Sequence, residues 1–140
     1  MTRGDIAMVF ERRKALWLAR DANALAADYA DDAVVVSPLQ GLLNGKPKIK
    51  DGFASLFRSF PDWSYQPEEL LIDGDRAAEY FAVSGTHSGE LFGIPPSGRQ
   101  FEIRGILLFR LADLRIVREQ RIYDFTGLLM QLGILRPKLP

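Results

Sequence analysis

Asp124, Arg121 and His87 are the side chains of this chain with the chemistry to handle protons or anions at a defined place. Asp124 ends the last apolar-alternating run. A carboxylate pressed against apolar groups there would have its pKa raised and could act as a general base. The same residue precedes Phe125-Thr126-Gly127 and could instead cap a terminal helix. Arg121 carries a forked donor suited to a substrate carboxylate or an enolate oxygen. It could equally be an exposed cross-strand partner of Glu119 or Glu102. Positions 121 and 124 have opposite strand parity, so a regular strand turns only one of them inward. His87, the one histidine, sits at a strand end before a Gly-Pro loop, where a lone histidine is more often structural or exposed than catalytic.

The composition narrows the chemistry further. There is no cysteine, which excludes disulfides, thiolate metal sites and a cysteine nucleophile. One histidine excludes a two-histidine metal site within one chain, and the adjacent carboxylates Asp31 and Asp32 point apart on a turn, so no metal is expected. Lys plus Arg and Asp plus Glu each number 18, giving no electrostatic reason to expect nucleic acid or an anionic membrane as partner. Gly45-Lys46 lacks the glycine spacing of a phosphate loop, and no nucleophile elbow, dinucleotide fingerprint or calcium loop occurs. No cofactor is expected. The N-terminus has no apolar leader and no run is long enough to span a bilayer, so a soluble cytoplasmic protein is expected.

The elements that must position these residues divide the chain in two. Helical spacing of Ile6, Val9, Phe10, Leu16 and Trp17 predicts a helix over 5–20, and Asp21 caps a short second one with Leu25, Ala26 and Tyr29 inside. Residues 33–36 read as a short strand, 41–45 as a turn. Pro47 opens a third helix carrying Ile49, Phe53, Leu56, Phe57 and Phe60. Strands then follow at 65–72, 76–88, 100–111 and 115–124, joined by Asp73-Gly74-Asp75, a loop at 89–98, and a turn about Ala112-Asp113-Leu114. Hairpin arithmetic pairs Arg121 with Leu107 across that turn. A short helix at 127–132 and a loose tail at 135–140 close the chain. Helices first and strands after predict one α+β domain over 1–134.

Several stretches together resemble the SnoaL-like polyketide cyclase, or ester cyclase, branch of the nuclear transport factor 2-like superfamily. They are the run from Asp21 to Ala33, Phe60-Pro61-Asp62-Trp63, the run from Gly85 to Gly98, and the close from Ile116-Val117-Arg118-Glu119 through Tyr123-Asp124 to Gly133. The resemblance implies a cone: a curved antiparallel sheet with three N-terminal helices on its concave face and a hydrophobic pocket between. It also implies cofactor-independent, intramolecular aldol-type acid/base chemistry on an apolar carbonyl compound, with an acidic residue of the last strand as acid/base. Asp124 is one match for that residue. The other is position 121, where this chain has Arg121 opposite Leu107; Gln120 stands where many relatives have tryptophan, and Leu114 where a turn glycine is usual.

The resulting expectation assigns catalysis to Asp124 and His87. Substrate contact is assigned to Arg121, Tyr29, Phe53, Phe57, Trp63, Tyr80, Leu107 and Gln120. The alternative readings are a non-catalytic module binding a small hydrophobic ligand, and a domain that associates through its sheet. Both alternating faces of the last strands carry apolar residues: Ile103, Leu107 and Phe109 on one, Ile106, Leu108 and Ile122 on the other. One set is left uncovered in a monomer, so a two-fold homodimer through the sheet is expected.

Overall fold

The computed structural model describes residues 1–138. Helix α1 (Arg3–Ala19) is opened by a capping box: Thr2 Oγ1 accepts from the Asp5 N–H, and the Asp5 carboxylate accepts from the Thr2 N–H. Arg20, in the left-handed region, ends it. Helix α2 (Ala22–Ala27) is capped by Asp21, as its position predicts. Strand β1 (Tyr29–Ser37) and β2 (Gly41–Asn44) precede α3 (Lys46–Ser59), which has proline in its first turn. Strands β3 (Ser64–Asp73), β4 (Arg76–Thr86), β5 (Gln100–Ala112) and β6 (Arg115–Tyr123) form a meander, and α4 (Phe125–Gln131) follows.

The six strands make one sheet in the order β2-β1-β6-β5-β4-β3. The fold class is α+β, as expected, but the sheet is mixed. β1 pairs with β6 in parallel, with Val35 opposite Glu119 and Val36 opposite Gln120, while the other pairs are antiparallel. Two local differences from the sequence reading have physical causes. β1 begins at Tyr29 and not at Ala33, because a register shift between Tyr29 and Val34 lets the exposed Asp31 and Asp32 lie within one strand. The segment 41–44 is a paired strand and not a turn, because β1 offers it an antiparallel edge. The expected tail falls partly on residues 139–140, which lie outside the described residues.

Strand alternation then fixes which side chains meet the helices. Odd positions of β4, β5 and β6 point inward: Phe81, Val83, Ile103, Leu107, Phe109 and, on β6, Glu119 and Arg121. Helix α1 lays Ile6, Phe10 and Trp17 on them, with Phe10 edge-on to Phe109 and Trp17 stacked on Tyr65. Gly105 is required in this layer. A Cβ there would lie 2.3 Å from the Ile122 carbonyl oxygen and 2.9 Å from the Phe81 ring. No helix among the described residues is long and apolar enough to cross a membrane.

Candidate active site

Between the helices and the inner sheet face lies a cavity of about 40 Å³. Its walls are Trp17 of α1, Leu56 of α3, Trp63 and Tyr65 at the start of β3, Phe81 and Val83 of β4, Ile103 and Leu107 of β5, Arg121 and Tyr123 of β6, and Leu128 of α4. Ser37 and Leu39 close one side. The lining is almost wholly apolar. Two polar groups on it are buried without a hydrogen-bond partner: Arg121 Nη2 and Trp63 Nε1. Each is an N–H donor in surroundings that supply no acceptor, a condition that costs free energy unless an occupant supplies one.

Arg121 is held in place by a chain of buried polar side chains. Its side chain is 8% exposed. Nε donates to Glu119 Oε2 at 2.6 Å, Nη1 lies 3.4 Å from Gln40 Oε1, and the guanidinium sits over the Phe53 ring at 5.3 Å. Glu119, 1% exposed, accepts a hydrogen bond from the Tyr29 hydroxyl on its other oxygen. Tyr29 in turn accepts from Arg13 Nη2 at 3.3 Å, and Arg13 Nη1 donates to Asp28 and to the Leu25 carbonyl, each at 3.1 Å. Burial opposes the charge on Arg121, but Glu119 and Tyr29 outweigh it and raise its pKa. Burial, reinforced by Glu119, pushes the Tyr29 hydroxyl up. Two ion pairs, Arg121–Glu119 and Arg13–Asp28, are thereby joined through one phenol.

A second buried pair stands beside the cavity. The Tyr65 hydroxyl donates to Glu79 Oε1 at 2.6 Å. Burial raises the Glu79 carboxyl above its ordinary value, and burial followed by Glu79 pushes Tyr65 up. Glu79 lies opposite Leu107, which lies opposite Arg121, so the three side chains form one row across β4, β5 and β6.

The expected site residues separate. Arg121, Leu107 and Trp63 line the cavity. Phe53 lies under the Arg121 guanidinium, Tyr29 lies one residue deeper through Glu119, and Phe57 packs on Trp17 and Phe53 behind the wall. Arg121 is not an exposed strand residue, because parity turns it inward. Asp124 is exposed and accepts from the Gly127 N–H at 2.8 Å, so it caps α4 and is absent from the cavity wall. Tyr80, 36% exposed, and Gln120 lie on the outer sheet face, because even positions of β4, and of β6 from Arg118 onward, point away from the helices. His87 is fully buried but under its own loop. Its Nδ1 accepts from the Ser97 N–H at 3.2 Å and lies 2.9 Å from Ser97 Oγ, while its ring packs against Phe60. Burial lowers its pKa.

Arg13, Tyr65 and Glu79 were missed as parts of this arrangement, and Glu119 was read as a partner of Arg121 on an exposed face, whereas the pair is buried. Arg13 did leave a signal, since it continues the apolar stripe Ile6-Phe10-Trp17 of α1 where a charge has no place without a partner. Glu119 shares the strand parity of Arg121.

Comparison with known proteins agrees with this architecture. The family described as SnoaL-like polyketide cyclase matches residues 7–132. Nogalonic acid methyl ester cyclase of Streptomyces nogalater is 37% identical over 68 residues, 47% of this chain and 51% of that protein. The chain thus aligns with about half the length of this curated relative. Among solved structures, TsrD of Streptomyces laurentii superposes with a TM-score of 0.83 at 24% identity, over 96% of this chain and 99% of that one. IdmH of Streptomyces antibioticus does so with a TM-score of 0.76 at 27% identity, over 91% and 98%. The fold, the order of the elements and the extent of the match place this chain in the SnoaL-like polyketide cyclase family of the nuclear transport factor 2-like superfamily.

Proposed function

We propose that the chain is a cyclase- or isomerase-type acid/base enzyme that takes an apolar, carbonyl-bearing small molecule into the interior cavity. The observation that carries this reading is the pair of unpartnered buried donors, Arg121 Nη2 and Trp63 Nε1, on one apolar cavity. A carbonyl oxygen is the kind of acceptor these donors lack, and an enolate oxygen is a stronger one because its charge is greater. Proton transfer falls to the Tyr65–Glu79 pair. As the α-carbon gives up its proton to Tyr65 Oη, the hydroxyl passes its own to Glu79, and the C–H electron pair becomes the enolate. The enolate carbon then bonds to a second carbonyl carbon of the same molecule, whose oxygen takes the proton back. Asp124 and His87 have other tasks in this scheme, namely capping α4 and latching the 88–98 loop.

At about 40 Å³ the cavity holds a few water molecules. Ligand entry therefore requires the wall to part. Helix α4 is the wall element suited to move, since among the described elements it packs on β5 alone.

The test is α-proton exchange of an aromatic β-keto ester in D2O, followed by NMR. Trp63→Phe removes one donor and keeps an aromatic, though smaller, ring, and Tyr65→Phe breaks the relay. Each is expected to slow exchange by about 10²-fold. Exchange unaffected by both variants would remove the enzymatic assignment. A second reading, a binding module using the same cavity, is favoured by the lack of any carboxylate on the wall itself. It predicts a shifted Trp63 indole N–H resonance on adding the ester, with no exchange.

A further inference from the structure

Arg121 and Glu119 make a looser pair than their groups allow. A carboxylate can meet the side of an arginine through two parallel hydrogen bonds, one from Nε–H and one from the Nη2–H that runs beside it. Glu119 accepts the first, with Oε2 2.6 Å from Nε. The second is not made, and Nη2 stays buried without a partner. Both side chains are buried, where an unmade hydrogen bond from a charged group is costly. The nearest remedy would be the other oxygen of the same carboxylate.

That oxygen is taken. The Tyr29 hydroxyl donates to Glu119 Oε1. Arg13 sets the direction of this bond from behind. Its Nη2, 3.3 Å from the Tyr29 oxygen, can only donate, so the phenol proton turns toward Glu119. Arg13 is held in turn by Asp28 and by the Leu25 carbonyl. Tyr29 is fully buried at the start of β1, opposite Ile116 of β6 and just before the register shift. On the far side of the guanidinium, Gln40 Oε1 faces Nη1 at 3.4 Å. Of the nitrogens of Arg121, Nη2 alone is left free on the cavity wall.

We propose that Tyr29 is a positioning residue for ligand recognition: by occupying Glu119 Oε1 it limits the ion pair to one hydrogen bond and keeps Arg121 Nη2 for a ligand oxygen. The role toward a ligand rests on the carbonyl-binding reading of the cavity, whereas the restraint on Glu119 does not. The two oxygens of Glu119 have separate tasks. Oε2 anchors the arginine, and Oε1 is held off it. Phenylalanine at position 29 would release Oε1 to Nη2, and a carboxylate there would repel Glu119. Arg13 acts one step further back, by orienting the phenol.

The experiment removes one hydroxyl. In a crystal structure of Tyr29→Phe, Glu119 is expected to turn until Oε1 lies within hydrogen-bond distance of Arg121 Nη2. Binding of ethyl benzoylacetate, followed by the Trp63 indole N–H resonance, is expected to weaken by about ten- to a hundredfold, the range of one hydrogen bond to a charged group. Tyr29→Phe combined with Glu119→Gln separates positioning from support of the fold. The glutamine oxygen still accepts from Nε, but its amide nitrogen cannot accept from Nη2. Affinity is therefore expected to return to near the wild-type value, although the double variant is the less stable of the two. Circular dichroism checks that both are folded. A Tyr29→Phe structure with Nη2 still unpartnered would overturn the proposal, as would unchanged affinity in that variant. Lost affinity that a folded double variant does not recover would make Tyr29 a support of the fold alone. If the double variant does not fold, the Tyr29→Phe structure decides. A wild-type chain that does not bind the ester would overturn the carbonyl-site reading, and the same structure would still decide whether Tyr29 restrains Glu119.

Discussion

Arg121 and Glu119 stand two residues apart on the inner face of β6, and each is tolerable there because of the other. Removing one partner of a buried pair leaves an uncompensated charge, which costs more than the pair contributes. Glu119→Gln is therefore expected to destabilise the fold by about 3 kcal/mol in urea unfolding; a loss below 1 kcal/mol would show that water or Gln40 takes over. His87 gives a pH prediction. Burial lowers its folded pKa, so the unfolded chain binds the proton more readily. Stability should be full above the ordinary histidine value of about 6.5 and fall as the pH drops below it. His87→Gln, which keeps a hydrogen-bonding group without titrating there, should flatten that segment of the stability curve. At this scale the sequence was half legible. Parity correctly made Arg121 and Asp124 alternatives, and hairpin arithmetic correctly put Arg121 opposite Leu107. It did not show that Asp124 faces out, because that depends on where β6 yields to α4.

The β5–β6 hairpin shows how an element absorbs a poor local choice. Asp113 and Leu114 both lie at positive φ, 49° and 59°, in a two-residue turn that favours glycine. The left-handed conformation costs a β-carbon-bearing residue roughly 1–2 kcal/mol. Leu114→Gly should therefore raise the melting temperature, by an amount matching about 1 kcal/mol of stability; an unchanged or lower value would mean that packing of the Leu114 side chain outweighs its strain. Asp124→Ala removes the cap of α4 and should cost about 1 kcal/mol, read as faster amide exchange confined to residues 125–131. The helices and the meander were readable because their signals are local: the cap at Asp21, proline in the first turn of α3, and alternation along β5 and β6. The parallel β1–β6 pairing was not. It joins segments far apart in the chain, and neither carries a mark of its partner's direction.

The sheet order sets where the whole molecule is firm and where it gives. β5 and β6 each have a paired strand on both sides, and their inner residues Leu107, Phe109 and Ile116 are buried. β2 is an edge strand of four residues with no fully buried position, paired to β1 alone. The cavity wall draws from both kinds of element. Arg121, Leu107 and Ile103 come from the central strands, while Leu39, in the connection between β1 and β2, and Leu128 of α4 lie at the margin. Local opening follows contact, so the marginal elements open at lower free energy than the centre. This division suits a site that must hold donors rigidly and still widen to admit a ligand. Native-state hydrogen exchange should accordingly show amides of β2 and α4 exchanging by local opening, well before Leu107 and Glu119, which should exchange only with global unfolding. If β2 and α4 were protected to the same level as β5, the wall would have no low-energy way to part, and ligand entry would have to come from the 88–98 loop latched by His87.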